Sequence, residues 1–437
     1  MDSINPGTGN APWSTWQKIA FRFFFIFFSL EVLTDNFIAV LFGDALMAIV
    51  RVTEKIFVAP CLWLNNHVFH FPYTPMYGFN FTPTLHLIRD IVYLLLAVVA
   101  CLAWTVLDRK RHGYNKINYW FSQCLVIALS CMMFSYGIIK VIPEQMQKPT
   151  FLELQTPLGE LSPFSLLWYT FGYGTPYQVF SGVCEVICAI LILFKRTRVA
   201  GLLIALSVIV NIVMVNYTYR IGVLITAIYL LCITLFLLTP FLKQLLRFFF
   251  TSQLVKLHIR SYSPLKSTKT KWLIGLAVLF IGSSFSLSSY HALRVYAKRK
   301  KINNSAQHSL VKNFILNSDT LPLIENDTTR WRIWSEKVSD GKRMVTIASM
   351  KQDAEKTYSV EQDSLKQQLI LHPVGQADTT PLNFSYTNIN TIAWRLEGVV
   401  QQNKLRIELQ KINPDTAVKL FKLKRGIIIL DNGWLDR

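Results

Sequence analysis

Apolar residues run almost unbroken through seven stretches of this chain, at 19–33, 85–107, 117–142, 176–194, 199–216, 221–242 and 272–293. A helix that crosses a bilayer needs about 20 mostly apolar residues, so these runs predict seven transmembrane helices. The first is the least tidy, with Arg22 near its start and Glu31 near its end. After residue 293 the pattern changes to short alternating runs. RWRIWSEK and RMVTIAS flank Ser339, Asp340 and Gly341, which is the signal of a hairpin. TYSVE, KQQLILH, LNFSY, IAWRLEGVV, KLRIELQK, VKLFKL and GIIIL follow, separated by turn clusters such as GQADTT, QQNK, NPD and DNG. Short strands with frequent turns predict an antiparallel sandwich or a small barrel. Its expected filling is the side chains of Trp331, Trp334, Phe384, Trp394 and Phe421.

The expected fold is therefore an all-α polytopic membrane bundle followed by a C-terminal antiparallel β domain. Residues 1–84 would hold an anchor helix and an interfacial segment, and residues 85–293 the bundle. Residues 294–318 would form a linker with a short helix at 306–317, and residues 319–437 the β domain. Within 44–71, the run DALMAIVRVTEKIFVAP mixes apolar and charged positions, as a helix lying in the membrane interface does. Trp168, Tyr169, Phe171 and Tyr173 in the 143–175 loop suit headgroup level.

Composition agrees with the pattern. Hydrophobic residues make up 52% of the chain, with 30 phenylalanines, and only 16% are charged, against about a quarter in soluble proteins. The net charge of +19 would suggest nucleic acid, but its placement excludes that partner and points to the lipid bilayer. Arg109, Lys110, Arg111 and Lys116 lie between the second and third runs, and Lys195, Arg196 and Arg198 between the fourth and fifth. Lys243, Arg247, Lys256, Arg260, Lys266, Lys269 and Lys271 lie between the sixth and seventh. The opposing loops offer only Arg51, Lys55, Lys148 and Arg220. The positive-inside bias makes the first set cytoplasmic, which leaves the N-terminus inside and the β domain outside. Arg294, Lys298, Arg299, Lys300 and Lys301 run against this bias, although long translocated domains weaken it. The N-terminal residues lack the basic start and cleavage site of a secretory signal, so the first run is expected to remain as an anchor.

Ionisable groups inside a membrane helix cost a few kcal/mol and normally have a partner or a role. Tyr136 and Lys140 are four apart near the end of the third run, and Glu185 lies well inside the fourth. These runs are antiparallel, so Lys140 and Glu185 are expected to approach each other. The pair would either hold the bundle together or handle a proton or ligand. Asn211 and Asn216 of the fifth run complete the candidate polar site, as interhelix hydrogen-bonding groups. Glu31 is expected to pair with Arg89 or Arg220. All seven cysteines fall in the membrane half, with Cys184 and Cys188 four apart on one helix, where packing is their expected role. His67 and His70 lack a third ligand, so no metal is expected.

The stretch from SYGIIKVIPE to FKRTRVAGLL, then VIVNIVMVNY and LFLLTPFLKQLL, resembles the DoxX-like membrane proteins. The matching elements are Gly137 to Lys140, Glu185, the basic turn 195–198 and Asn216. The closing residues FKLKRGIIILDNGW resemble the end of that family's long bacterial form, which adds N-terminal helices and a C-terminal extramembrane domain. The resemblance implies a DoxX-like core over residues 117–242 and a bacterial inner-membrane location. It also implies a role accessory to an envelope redox or quinone-linked process, with a quinone or a membrane redox protein as partner. The family's long form continues with an aspartate, a lysine and a histidine where this chain has Arg220, Leu224 and Tyr229. That departure shrinks the polar centre, and no catalytic residue is carried over. The alternative reading is a non-enzymatic anchored envelope protein whose β domain binds a lipid, a polymer or a protein. Substrate and cofactor are not legible in the residues.

Overall fold

A computed structural model describes residues 13–34, 47–72, 83–154, 158–251, 268–324, 327–350, 355–375, 380–400 and 402–413. The chain divides into two units, residues 1–147 with 163–295, and residues 148–162 with 296–437. The described α-helices are Thr15–Thr34 (α1), Met47–Leu64 (α2), Pro83–Leu107 (α3), Asn115–Val141 (α4) and Phe151–Leu154 (α5). Pro163–Tyr173 (α6), Thr175–Leu193 (α7), Arg198–Thr218 (α8), Leu224–Leu238 (α9), Leu242–Phe250 (α10) and Thr268–Asn304 (α11) follow.

Six described stretches are long and apolar enough to cross a membrane: Thr84–Leu107, Asn115–Val141, Thr175–Leu193, Arg198–Thr218, Leu224–Phe250 and Thr270–Asn304. The remaining expected span, α1, is 20 residues long, but Lys18, Arg22 and Glu31 fall within any membrane-length part of it. It nevertheless runs antiparallel along α3. Cys101 Sγ donates to Ile19 O at 3.5 Å and Arg22 to Thr105 Oγ1 at 3.0 Å near one end, while Glu31 faces Arg89 at 3.8 Å near the other. Phe21 and Phe28 of α1 enter one core with Leu129 and Met132 of α4, Ile192 of α7, Ile209 of α8 and Ile233 of α9. The outward faces are as apolar as the inward ones. Val99 and Leu102 of α3, Phe180 of α7 and Leu276 and Leu279 of α11 are more than half exposed. Such a surface suits hydrocarbon and would aggregate in water. α11 lies against α4 through the stacked rings of Phe134 and Phe285, 3.7 Å apart, and a 2.8 Å hydrogen bond between Ser135 and Ser288.

The second unit is a barrel. Its strands are Gln307–Leu316 (β1), Asp319–Thr320 (β2), Trp331–Ser339 (β3), Lys342–Ser349 (β4), Lys356–Asp363 (β5), Gln368–Pro373 (β6), Leu382–Asn388 (β7), Ala393–Val400 (β8) and Asn403–Ile412 (β9). From β3 to β9 each strand pairs antiparallel with the next, and β1 pairs with both β3 and β9. Eight strands thus close on themselves, with β2 a short addition to β1. Closure leaves no long sheet edge to be protected. Asp340 and Gly341, at φ of 52° and 77°, make the β3–β4 turn, whose conformation matches the strand twist.

One expected helix is a strand. The segment expected as a helix at 306–317 holds β1, Gln307–Leu316, in which a bulge between Val311 and Asn313 sets the apolar residues Val311, Phe314 and Leu316 three and then two apart. Such a bulge breaks the period of two and imitates helical spacing. The barrel therefore begins at Gln307 and not at Asp319. Inside, Trp331, Trp334 and Phe384 fill the middle, with ring centres 5.9–6.1 Å apart, and Trp394 meets Trp334 edge-on at 5.3 Å toward one end. Phe421, the expected strands VKLFKL and GIIIL, and the closing motif lie outside the described residues.

The 143–175 loop does not stay together. Its middle part folds with the barrel, where Phe151 and Leu152 of α5 cover an outer apolar patch of Leu310, Ile333, Ala348 and Ile412. Trp168 of α6 instead donates to Gln145 O at 3.1 Å within the first unit.

Candidate functional site

The site lies on α4 and α7, which pass each other antiparallel at very short range. Ser130 Oγ donates to Ala189 O at 2.7 Å, and Gly137 meets Gly182. A Cβ added to Gly182 would sit 2.6 Å from Gly137 O, and one added to Gly137 would sit 2.9 Å from Gly182 O. Small residues at such a crossing let two backbones approach within the membrane.

The interval from Ser130 to Gly137 equals that from Gly182 to Ala189, so the register is fixed. Continued by three residues, it sets Lys140 level with position 179. Glu185 lies six residues further along α7, about 9 Å of helix rise. Side chains on a helix lean toward its own N-terminus, so on antiparallel helices Lys140 and Glu185 lean toward each other. Lys140 Nζ donates to Glu185 Oε1. Glu185 is fully buried and Lys140 8% exposed. The ammonium thus reaches into the bundle, opposite to a lysine that extends its charge to the headgroups. Glu185 Oε2 has no hydrogen-bond partner among the described residues.

The other candidate residues are distributed differently. Tyr136 is half-buried and packs against the bundle core. Asn216 is buried, but its amide donates to Ile212 O at 2.7 Å, one turn back on its own helix. Asn211 is exposed on the outer face of α8. The expected interhelix asparagine bonds are thus absent among the described residues. Helical phase explains this: the two positions are five residues apart, about 140° around the helix, so one α8 cannot turn both inward. Cys188 is buried and donates to Glu185 O at 3.1 Å, a packing contact next to the pair. His67 Nδ1 lies 2.8 Å from Trp63 O, and no group of three or more His, Cys, Asp or Glu among the described residues could hold a metal ion.

A second polar cluster was not singled out in the sequence. Buried Arg22 donates from Nε to Tyr114 Oη at 2.9 Å and from Nη2 to Asp108 O at 2.9 Å, and Tyr114 donates to Asp108 at 2.8 Å. The Tyr114 bond holds the Asp108 carboxyl below its ordinary pKa. At the far end of α1, Arg89 bonds Asp90 at 3.0 Å and faces Glu31 at 3.8 Å, one of the two arginines expected for that carboxylate. The available signal was the pair of opposite charges in the first apolar run. Gln178, fully buried on α7, gave no signal, since a glutamine near a predicted helix start reads as interfacial.

Among curated proteins, the chain is similar to "Uncharacterized protein YwoB" of Bacillus subtilis (strain 168), with 37% identity over 109 residues. The match covers 24% of this chain and 69% of that protein. No family model matches, and no solved structure matches.

Proposed function

The chain belongs to the family of the uncharacterized protein YwoB, and from that premise we propose a multi-pass protein of the bacterial plasma membrane whose bundle holds the barrel outside the cytoplasm. In this reading the bundle is an anchor without a reaction of its own, and the barrel binds a lipid, a polymer or a protein partner. The observation that carries it is the sealed state of the Lys140–Glu185 pair. Both groups are buried at a crossing too close for a substrate, which suits a pin between helices better than a catalytic centre.

Orientation rests on the basic loops and on α1 as the seventh crossing, with its charges met by Tyr114 and Arg89. Residues 148–162 leave α4 yet fold with the barrel that follows α11. Reporter fusions after Gly113, Thr197 and Arg437 test the arrangement. The first two should be active only as cytosolic reporters and the third only as an exported one. A cytosolic C-terminal reporter would overturn the reading.

A second reading follows the DoxX resemblance, as an accessory to an envelope redox or quinone-linked process. Its support is Glu185 Oε2, a buried acceptor that could take a hydrogen bond from a quinol hydroxyl.

A further inference from the structure

The barrel carries a feature that the bundle does not explain. Along its inward-facing columns the middle is apolar, with Val345, Leu371, Leu396 and Ile407 buried. At the end where β1 begins, the same columns turn polar. Glu336 follows Trp334 on β3, Gln362 follows Val360 on β5, and Asn388 follows Tyr386 on β7. Glu336 and Gln362 are joined, through Arg343 and with Trp334 and Tyr386, in a chain of hydrogen bonds around the mouth. Trp334 Nε1 donates to Glu336 Oε1 at 2.7 Å, and Arg343 donates to Glu336 Oε2 at 2.7 Å and 3.0 Å. Arg343 also donates to Gln362 Oε1, and Gln362 Nε2 donates to Tyr386 Oη at 2.8 Å. They line a cavity of about 240 Å³ together with Trp394, whose ring meets Trp334 edge-on at 5.3 Å.

We propose that this mouth is a binding site for one sugar unit of a saccharide, with Trp394 as its apolar platform and the linked polar groups as partners for its hydroxyls. The proposal rests on the reading of the barrel as a binding module and names its ligand. Three observations select the class. The cavity is smaller than the roughly 300–1,000 Å³ of drug-sized sites, so it takes a single small unit. Arg343 is neutralised by its ion pair with Glu336, which disfavours a strongly charged ligand. Planar side chains already held by one another offer both donors and acceptors at fixed positions, which limits the entropy lost on binding. A sugar ring has one apolar face and a rim of hydroxyls, and this lining matches both.

The test is isothermal titration calorimetry on the full-length chain in a detergent without a sugar headgroup. The probes are a glucose tetrasaccharide, an N-acetylglucosamine tetrasaccharide, inorganic phosphate and an acidic peptide. Saturable binding of either saccharide is expected, at least tenfold weaker in Trp394→Ala and in Gln362→Ala. Gln362→Ala guards against a Trp394→Ala chain that fails to fold, and thermal unfolding reports folding in each. Binding of neither saccharide, or equal binding by a folded Gln362→Ala chain, overturns the proposal. Binding of phosphate or peptide alone overturns the sugar assignment while leaving the barrel a binding module. A cytosolic C-terminal reporter defeats the envelope reading instead.

Discussion

Lys140 and Glu185 are worth more as a couple than their separate burial suggests. Removing one partner of a buried ion pair leaves the other charged and unpaired, at a cost of about 3–5 kcal/mol. Lys140→Ala and Glu185→Leu should therefore each lower the melting temperature of the detergent-solubilised protein markedly. The double replacement Lys140→Met with Glu185→Leu should recover most of the loss, because an apolar pair has no desolvation to offset. A double variant no more stable than the singles would show that the pair is not a structural pin. His308 makes a prediction in pH. Burial holds its imidazole below the ordinary pKa, beside the Phe151 ring 5.3 Å away. The unfolded chain binds the proton first as pH falls, so stability is complete above the unfolded value of about 6.5 and declines below it until the folded value is passed. His308→Gln should flatten that decline in pH-dependent melting, and an unchanged slope would assign the dependence elsewhere.

Between elements, contact distance decides more than composition. The crossing of α4 and α7 depends on two glycines, and the Cβ of any other residue at position 182 would strike the Gly137 backbone. Overpacking of this kind typically costs about 1–3 kcal/mol. Gly182→Leu should reduce both melting temperature and the yield of folded protein, whereas Gly222→Ala, with open space around it, should change neither. Equal effects would mean that the close crossing is not what holds the helices. The closure of the barrel has a comparable seam. Glu408 on β9 receives Arg395 of β8 at 2.7 Å and Asn313 of β1 at 2.6 Å. Those hydrogen bonds, Arg395 first, hold its carboxyl below the ordinary range.

Across the whole chain, β1 ties the end of α11 to the barrel, so the domain boundary matters. A fragment starting at Asp319 lacks the strand that joins β3 to β9 and exposes two sheet edges. It should aggregate or remain unfolded by circular dichroism. A folded monomer from Asp319 would show that closure through β1 is dispensable.

Much of this was legible in the residues themselves. Long apolar runs specify helices in hydrocarbon because every backbone polar group must be paired there, and alternation with turn residues specifies antiparallel strands. The approach of Lys140 to Glu185 followed from the antiparallel order of their two runs. The strand at Gln307–Leu316 was hidden, because its bulge erases the alternation that announces strands. Closure of β1 onto β9, the Gly137–Gly182 contact, the Arg22–Tyr114–Asp108 cluster and the polar mouth around Trp394 were equally silent. Each joins residues far apart in the chain, and local periodicity carries no information about which distant surfaces will meet. The tertiary structure alone decided those meetings, through the packing of one face against another.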